Sequence, residues 1–361
     1  MMLPDIEKIY VHPNSLSSPI TKKVCAAYST VPVITAVKEE IINEIRSTRN
    51  DPIAYGKKIL YLAQNEGNFL KKCPGTKGVI CCNYYTINLA TNCPLDCTYC
   101  ILQEYLENNP AITIFTNIEN AFKEIETELS RNRDYPIRIG TGELADSLAL
   151  DIISGTSVEL MNFIKGKDNI IFEFKTKTTN IENLLINRGA RNIVISWSLN
   201  PQCLIESDEK GAASLDERIR SAVLCGKNGF SLSFHFDPII RYDSWEKDYS
   251  HVIEKLFSEV EQTSIAWISL GCLRFSKGLK TIMKERFPIS DIFYNEFAMC
   301  NDGKYRYIRP VREEIFSKMV NMIKKIAPKV PVYLCMERDF IWDNVFLKRP
   351  ADMREIHPLF F

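Results

Sequence analysis

The chain has 361 residues, of which 45% are apolar and 25% are charged, the proportions of a folded, water-soluble enzyme. Lys and Arg number 45 and Asp and Glu also number 45, so no overall charge draws the chain to nucleic acid, and such contact would need a local patch. No apolar run is long enough to span a bilayer, and the first residues lack a secretory-signal pattern, so we expect a cytosolic protein with no membrane partner. The 12 cysteines then predict reduced thiols and metal ligands.

Residues 1–78 predict a helical N-terminal region. Apolar side chains recur at helical spacing over residues 38–45. Asp51 is an N-cap residue followed by Pro52 at the first helical position, so we expect a second helix that runs from there toward Ala63. A turn-rich segment at residues 73–78 ends the region.

Residues 79–286 alternate between strand and helix patterns. Strands are predicted at about residues 79–88, 135–140, 169–175, 192–198, 229–236 and 265–271. Helical periodicity lies between them and is clearest at residues 117–131, 215–227 and 244–261. Strands that are each followed by a crossover helix favour a parallel sheet, and six units are too few for an eight-stranded barrel. We therefore predict an α/β fold with an incomplete parallel (β/α)₆ barrel.

Residues 287–361 predict a C-terminal extension. It contains a helix pattern at residues 311–325 and a short strand pattern at residues 332–336. We expect this extension to cover the barrel.

Three cysteines with C-x₃-C-x₂-C spacing follow the first predicted barrel strand. They are Cys93, Cys97 and Cys100. Three thiolates can hold three irons of a [4Fe–4S] cube and leave the fourth iron open to a small molecule. The alternative is a zinc site that takes its fourth ligand from Cys73, Cys81 or Cys82, although zinc sites usually show paired C-x₂-C units. The spacing favours a cluster.

Polar residues follow the predicted barrel strands, at the ends where parallel α/β barrels build their sites. Strand two ends in Gly140-Thr141-Gly142-Glu143, a flexible backbone that suits a closely bound ligand. Lys175 and Ser196 end strands three and four, and they suit a carboxylate and a sugar, unless they are an ordinary solvated lysine and strand-end serine. His235 ends strand five, either as a hydrogen-bonded barrel residue or as a group that faces a ligand. Their convergence predicts an enzyme.

Basic and aromatic residues alternate in the predicted C-terminal extension. They are Lys304, Tyr305, Arg306 and Tyr307. The alternation suits the phosphates and bases of nucleic acid, but an amphipathic strand with a solvated face would look the same. Contact of Lys304, Tyr305 and Arg306 with a DNA substrate is therefore a hypothesis.

The cysteine triplet, with Tyr99 before its third member, resembles the signature of radical S-adenosylmethionine (SAM) enzymes. The resemblance implies a [4Fe–4S] cluster on Cys93, Cys97 and Cys100, whose open iron binds SAM and whose electron cleaves it to a 5′-deoxyadenosyl radical. It also implies a set of SAM contacts, with Tyr99 beside the cluster and the adenine. These contacts are Tyr99, Gly142, Glu143, Lys175 and Ser196.

Over about residues 70–340 the chain looks like the spore photoproduct lyase family. The carriers of this resemblance are Cys81-Cys82, the stretch 93–103, residues 140–146, the strand that ends at Lys175, and residues 303–307. Members of the family repair a thymine dimer in DNA. The resemblance therefore implies hydrogen abstraction from such a lesion, damaged DNA as a partner, and an electron donor such as flavodoxin or ferredoxin.

Two positions depart from the family pattern. The family's hydrogen-returning cysteine near the end of strand two has no counterpart, because no cysteine lies between Cys100 and Cys203, and Ile101 replaces a tyrosine. Other candidate thiols lie on or just after predicted strands, although each could also be a buried apolar residue. They are Cys81, Cys82 and Cys272. The rival hypotheses are a radical SAM enzyme acting on a peptide or metabolite and a non-catalytic zinc or iron–sulfur module.

Overall fold

The computed structural model describes residues 3–48, 51–75, 78–132, 136–347, 350 and 353–356. Its strands, numbered along the chain, are β1 (Lys8–Val11), β2 (Val33–Thr35), β3 (Ile59–Ala63), β4 (Leu70–Lys72), β5 (Tyr85–Ile87), β6 (Ala90–Thr91), β7 (Asp96–Cys97), β8 (Ile112–Phe115), β9 (Ile137–Gly140), β10 (Ile170–Thr176), β11 (Ile193–Ser198), β12 (Glu209–Lys210), β13 (Ser231–Ile239), β14 (Ile265–Cys272), β15 (Arg274–Ser276), β16 (Phe297–Met299), β17 (Lys304–Tyr307) and β18 (Val332–Leu334). Its helices are α1 (Pro19–Ala27), α2 (Lys38–Thr48), α3 (Pro52–Gly56), α4 (Leu102–Tyr105), α5 (Ile118–Arg131), α6 (Asp151–Ser154), α7 (Thr156–Ile164), α8 (Glu182–Leu185), α9 (Gln202–Asp208), α10 (Leu215–Asn228), α11 (Trp245–Glu259), α12 (Lys277–Arg286), α13 (Arg309–Ile326) and α14 (Asp339–Phe346).

The larger sheet contains the six predicted barrel strands side by side. Its order is β18-β14-β13-β11-β10-β9-β5-β4, and every pair from β5 to β18 is parallel, while β4 adds an antiparallel edge. The predicted parallel half-barrel is therefore confirmed. The first of its strands is shorter than predicted, because β5 spans only three residues of the predicted 79–88.

The helices between the strands begin and end where local sequence signals place them. Helix α10 starts at a reciprocal capping box between Ser214 and Glu217, and it ends at Gly229 with φ 101°. Helix α5 buries Ile118, Ala121, Ile125 and Leu129, one face of a helical repeat. The three clearest helix predictions, now α5, α10 and α11, are confirmed to within two residues at their ends.

The N-terminal region is only partly helical: helix α2 covers the predicted residues 38–45 and helix α3 starts at Pro52 as predicted, but the region also contains strands. Strands β1, β2 and β3 pair in parallel and join β8 and β6 in a second sheet of order β2-β1-β3-β8-β6. This sheet crosses the boundary predicted at residue 78. The helix expected from Asp51 to Ala63 ends at Gly56, because residues 59–63 are buried on both faces and form the central strand β3.

The C-terminal extension completes the half-barrel rather than only covering it. Strand β18 pairs in parallel with β14, and α13 packs beside α11 and α14. The basic–aromatic stretch forms β17, the middle strand of a small antiparallel sheet of order β15-β17-β16. Within the described ranges, no helix has the length and apolarity needed to cross a membrane.

The concave face of the half-barrel, which we call the lumen, is polar. Alternate residues of a strand point to opposite faces, and ladder pairing aligns inward residues in rows across the sheet. One row is Lys175, Ser196, Ser233 and Trp267, and the next is Ser198, His235, Ser269 and Tyr333. The intervening residues, such as Phe174, Trp197 and Phe234, are buried and apolar. The sheet therefore presents polar groups inward and the main hydrophobic core outward.

Candidate active site

The cysteine loop, residues 93–100, lies at the carboxyl end of the half-barrel between β6 and α4. Cys93 and Cys97 are buried and Cys100 is half-buried, and all three belong to a small cluster with Leu95 and Ala145. Burial raises the pKa of Cys93 to about 11, although Lys57 opposes this, and the charge of Cys100 adds to the rise. The three thiols therefore lie within electrostatic range of one another.

Lys57 holds the backbone of the cysteine loop through hydrogen bonds. Its Nζ donates to the carbonyl oxygens of Cys93 (3.1 Å) and Leu95 (2.7 Å) and to Asn92 Oδ1 (3.1 Å). Asn92, at φ 63°, also accepts from the Cys93 amide at 2.9 Å. Because Lys57 is buried and directed at carbonyl groups, the loop backbone is fixed independently of any bound group.

Arg286 of α12 also holds the loop, through side chains in and next to it. Its guanidinium pairs with Asp96 (3.0 Å) and Asp51 (2.9 Å) and also bonds Gln103. Gln103 in turn donates to the carbonyl oxygens of Cys97 (3.1 Å) and Thr98 (2.8 Å). Two cations from outside the half-barrel thus determine where the thiols project.

Glu209 is a buried carboxylate beside the loop that the sequence analysis missed. Strand β12 pairs Glu209 with Cys97 across a short antiparallel ladder. Its carboxylate contacts Arg218 (2.5 Å), Lys177 (3.7 Å), Asn200 (2.8 Å) and the Tyr99 hydroxyl. Burial alone would raise the pKa of Glu209, but Lys177 and Arg218 lower it to about 2. The group is therefore an ionised anchor for Tyr99 and Lys177.

The donor set of the loop fits an iron–sulfur cluster. Among the described residues, no three His, Cys, Asp or Glu side chains converge closely enough to hold one metal ion. A cluster has a different requirement, because each thiolate binds its own iron and the thiolates stand apart around the cube. Three thiols on one rigid loop at the mouth of a half-barrel meet that requirement.

A cavity of about 340 Å³ opens beside the loop and extends into the lumen. Seven of the sequence-predicted residues line it. These are Cys82, Tyr99, Gly142, Glu143, Lys175, His235 and Lys304. Cys73, named above only as a possible zinc ligand, also lines the cavity. Further polar lining residues were not predicted to belong to the site. These are Arg138, Glu173, Asp237, Arg274 and Cys335.

The segment after β9 lies against the cavity as predicted. A Cβ on Gly140 would stand 1.4 Å from the Tyr84 hydroxyl oxygen, so only glycine fits there. Glu143 accepts a hydrogen bond from Asn88 Nδ2 at 2.9 Å. Asp146 accepts from the Lys177 amide at 2.7 Å, which ties this segment to the end of β10. Gly142 and Glu143 are thus placed where a ligand beside the cluster could reach them.

Two lysines follow one another on the inward face of β10 and its extension, but they lie in different surroundings. Lys177 Nζ lies 5.1 Å from the centre of the Tyr99 ring, and its charge opposes the burial that raises the pKa of Cys97. Lys175 lies one inward position deeper and acts on other groups. Burial lowers the pKa of His235 and the charge of Lys175 lowers it further, while burial would raise the pKa of Asp237 but Arg274 and Lys175 lower it. Lys177, which was not predicted, is therefore the lysine beside the cysteine loop.

Ser196 lies in the interior of the half-barrel. Ser196 is completely buried within β11, where its hydroxyl donates to Glu173 Oε1 at 2.6 Å and pairs with Ser233 Oγ at 2.9 Å. It does not line the cavity. The sequence pattern identified the inward face of the strand, and contact of Ser196 with the SAM ribose stays a prediction.

His235 belongs to a buried ionic network at the floor of the cavity. Its Nε2 lies 2.7 Å from Glu173 Oε1, and its Nδ1 lies 2.6 Å from Ser269 Oγ. Arg138 pairs with Glu173 at 3.0 Å and lies 4.2 Å from the centre of the Trp267 ring. Burial would raise the pKa of Glu173, but Arg138 and His235 lower it well below its ordinary value. His235 is both hydrogen-bonded and cavity-facing, so both readings of it apply.

The residues of the basic–aromatic stretch, 304–307, lie in different surroundings. Lys304 lines the cavity, whereas Arg306 is buried and forms a double ion pair with Asp302 at 2.7 and 2.8 Å. Tyr305 stacks on Phe275 with ring centres 5.7 Å apart. The guanidinium of Arg306 is thus paired within the protein, and contact of Arg306 with DNA stays a prediction.

The candidate thiols also differ in position. Cys82 lines the cavity, while Cys272 is buried away from it, and Cys81 lies on the outer side of the same segment. Hydrogen bonding from Cys82 lowers the pKa of Cys81 to about 6. Cys73 and Cys335, which were not considered as donors, line the cavity as well.

The parallel half-barrel with a three-cysteine loop at its carboxyl end defines a radical SAM-type architecture. Solved structures of spore photoproduct lyase share the fold. The complex with dinucleoside spore photoproduct superposes with a TM-score of 0.81 at 22% identity, covering 92% of this chain and 100% of that one. A mutant with bound AdoMet and dinucleoside spore photoproduct gives 0.78 at 21%, covering 92% and 98%.

Sequence comparison identifies the family. The spore photoproduct lyase family model matches residues 3–334. The spore photoproduct lyase of a Geobacillus species is 25% identical over 256 residues, covering 69% of this chain and 75% of that protein. The lyase of Bacillus subtilis is 24% identical over the same shares. The chain belongs to the spore photoproduct lyase family, and it is accordingly a radical SAM enzyme with a [4Fe–4S] cluster and SAM as cofactors.

Proposed function

We propose that this chain repairs a thymine-dimer lesion in DNA through hydrogen abstraction initiated at the cysteine loop. The observation that carries the proposal is the three-thiol loop held rigid at the mouth of a polar cavity. Bound there, the cluster supplies an electron that cleaves SAM to methionine and a 5′-deoxyadenosyl radical. Family members named spore photoproduct lyase support the lesion as substrate.

Different residues around the loop bind the cluster and the individual groups of SAM. Cys93, Cys97 and Cys100 hold the cluster. Glu143 and the Gly142 backbone receive the SAM ammonium, and Tyr99 packs beside the adenine. We assign the SAM carboxylate to Lys175, as the family resemblance implies, because Lys175 lines the cavity, whereas Lys177 does not line it and pairs with Glu209 at 3.7 Å.

The lumen orients the substrate and excludes water from it. The lesion must leave the DNA stack to reach the cavity, because the cavity lies inside the half-barrel mouth. His235, held by Glu173 and Ser269, presents a fixed polar edge at the floor. A thiol that returns hydrogen to the product must face the cavity, and among the three predicted candidates Cys82 meets this condition.

Anaerobic reconstitution followed by dithionite and SAM tests the cofactor chemistry, with 5′-deoxyadenosine expected as product. Turnover on a spore-type thymine dimer, scored as thymine release, tests the substrate. Formation of 5′-deoxyadenosine without repair would favour a peptide or metabolite as substrate. One equivalent of zinc without iron would instead establish a non-catalytic module.

Substitution of the candidate thiols tests the hydrogen-return step. We expect Cys82→Ala to retain SAM cleavage but to release damaged or incompletely reduced thymine products. Cys272→Ala is the matched control, because this thiol lies away from the cavity. Equal product distributions in the two variants would remove Cys82 from the reaction, and Cys73→Ala and Cys335→Ala would then identify the donor. An electron donor of the flavodoxin or ferredoxin class completes the proposal.

A further inference from the structure

Helix α12 carries three lysines along its solvent side. Lys277, Lys280 and Lys284 stand at positions i, i+3 and i+7, so they share one face of the helix. The opposite face is buried through Leu279 and Met283. Among the described residues, none of the three ammonium groups has an ion-pair or hydrogen-bond partner. We call these three residues the lysine row.

Aromatic rings lie close to two members of the row. Nζ of Lys280 lies 5.8 and 5.6 Å from the centres of the Phe275 and Tyr305 rings. Nζ of Lys284 lies 4.9 Å from the centre of the Tyr294 ring. Burial lowers the pKa of Lys280, and the charge of Lys284 lowers it further. The two ammonium groups are thus near enough to repel each other, and an anion bound between them would remove that repulsion.

The lysine row begins at the rim of the cavity. Phe275 and Ser276, which directly precede Lys277, both line the cavity. Ser276 also donates a hydrogen bond to Glu104 of α4, and Tyr105 of the same short helix lines the cavity and is exposed. From this rim the row runs along α12 for about 10 Å. A ligand that leaves the cavity on this side therefore meets the lysines in turn.

The row is a local patch of positive charge in a chain whose charges balance overall. The 45 Lys and Arg residues equal the 45 Asp and Glu residues in number. Within α12 the only carboxylate is that of Glu285, which projects about 100° around the helix from Lys284. Arg286 is turned away from the row and pairs with Asp96 at 3.0 Å. Positive charge of this kind, unpaired and on one face, attracts a polyanion.

The neighbouring rings indicate which polyanion fits the row. An acidic protein would use the lysines alone. DNA would use both features, because its phosphates pair with lysines while its bases contact aromatic faces. The cavity that the row adjoins is also the place to which an extruded lesion must come. The surroundings of the row therefore favour DNA.

We propose that the lysine row binds the backbone phosphates of the DNA next to the lesion, on the α12 side of the cavity mouth. The inference rests on the proposed function, since it specifies where the flanking DNA lies while the lesion occupies the cavity. Over about 10 Å a duplex presents several phosphates, so each lysine can reach its own. The chain therefore binds a lesion within duplex DNA more tightly than the same lesion as a dinucleotide, and added salt weakens this difference.

Equilibrium binding at several salt concentrations tests the row in the reconstituted, SAM-loaded enzyme. The probe is a duplex oligonucleotide with one spore-type thymine dimer, and the variant is Lys277→Gln/Lys280→Gln/Lys284→Gln. We expect its affinity at low salt to fall on the order of 10-fold or more, and the slope of log K against log salt to decrease by about 2–3. Turnover of the dinucleotide form of the lesion should be unchanged, because that substrate ends within the cavity.

Lys227→Gln/Lys325→Gln/Lys329→Gln is the matched control. It removes the same charge from three exposed lysines near the amino ends of β13 and β18, at the end of the half-barrel opposite the cysteine loop. This variant should keep the duplex affinity and the salt slope of the wild type. Equal losses in the two glutamine variants would assign the effect to overall charge and overturn the inference.

Further outcomes separate the row from the proposed function. Lys277→Arg/Lys280→Arg/Lys284→Arg keeps the charge and should retain duplex binding, and a loss there would overturn a contact based on charge. If the wild type repairs the dinucleotide lesion but the glutamine variant of the row binds duplex normally, the row inference is wrong and the proposed function stands. If the wild type repairs neither form of the lesion, the proposed function fails and the row inference fails with it. Slower reduction by flavodoxin in the glutamine variant, with normal duplex binding, would assign the row to an acidic protein and equally overturn the inference.

Discussion

The cysteine loop and the lumen floor are both buried and polar, but they are held in different ways. At the loop, Lys57 and Gln103 bond backbone carbonyl groups, so the thiol side chains remain available. At the floor, Arg138, Glu173 and His235 bond one another through their side chains. The loop is therefore a scaffold for added ligands, whereas the floor is a closed network.

This difference predicts different consequences of substitution. Removing a support of the loop releases a backbone segment, and the loss appears mainly in the cofactor that the segment binds. Removing a member of the floor leaves a buried charge without its partner, and the loss appears in the free energy of unfolding. Variants of the two regions can therefore be separated by measuring iron content and stability side by side.

The largest effect is expected at the loop thiols. Cys97→Ala removes one of three cluster ligands, and we expect loss of the cluster and no detectable 5′-deoxyadenosine. Iron content and product analysis after anaerobic reconstitution measure it. Cys203→Ala is the control, because Cys203 is exposed on α9 and should leave both quantities unchanged. A Cys97 variant that still cleaves SAM would show that the cysteine loop does not hold the cluster that cleaves SAM.

The next largest effect is expected at the floor. Glu173→Gln leaves Arg138 without its carboxylate, and we expect it to lower the free energy of unfolding by about 3–5 kcal/mol. Urea denaturation measures it, with Glu182→Gln on the exposed side of α8 as control. Cluster content should change little if the protein is kept folded.

The floor also predicts a pH dependence. The pKa of Glu173 is lowered in the folded state, so its contribution to stability is complete above the ordinary value of 4.5 and declines as pH falls below it toward the folded pKa. Glu173→Gln should flatten this acid limb. An unchanged acid limb in the variant would mean that Glu173 is not ionised in the folded protein.

Features that are local in sequence were predictable. The cluster motif lies within eight residues, and helices with clear periodicity, α5, α10 and α11, precede the strands β9, β13 and β14. Parallel strands that are covered on both faces appear in the sequence as short apolar runs. Such a run predicts a strand reliably when helix patterns flank it. The same kind of run at residues 59–63 was misread, because a helix start at Asp51 and Pro52 directly preceded it.

Features that depend on partners distant in sequence were not predictable. Glu209 lies on a two-residue strand, and its partners Tyr99, Asn200 and Arg218 come from three other elements. Ser196 illustrates a second difficulty, because alternation along a strand identifies the face of a residue but not its depth. The same holds for Lys175 and Lys177, which share one face of β10 and its extension, although only Lys175 lines the cavity.

A smaller effect at the loop is expected from its supporting lysine. Lys57→Met removes three hydrogen bonds to the loop, and we expect cluster content or SAM cleavage to fall by about 10- to 100-fold. Lys58→Met is the matched control, since the side chain of this neighbour is 43% exposed and pairs with Glu7 at 2.8 Å, away from the loop. Equal activity in the two variants would show that the loop backbone does not need this support.

The smallest effect is expected from the glycine that makes room in the lumen. Gly140→Ala places a methyl group 1.4 Å from the present position of the Tyr84 hydroxyl oxygen, and displacement of that ring should cost about 1–3 kcal/mol of unfolding free energy. Gly67→Ala is the control, because its nearest neighbouring atom lies at 3.6 Å. Tyr84→Phe in the Gly140→Ala background should recover part of the loss, since it removes the closest clashing atom. Additive losses in the double variant would mean that the lumen relaxes elsewhere, and that the floor is less rigid than its paired charges imply.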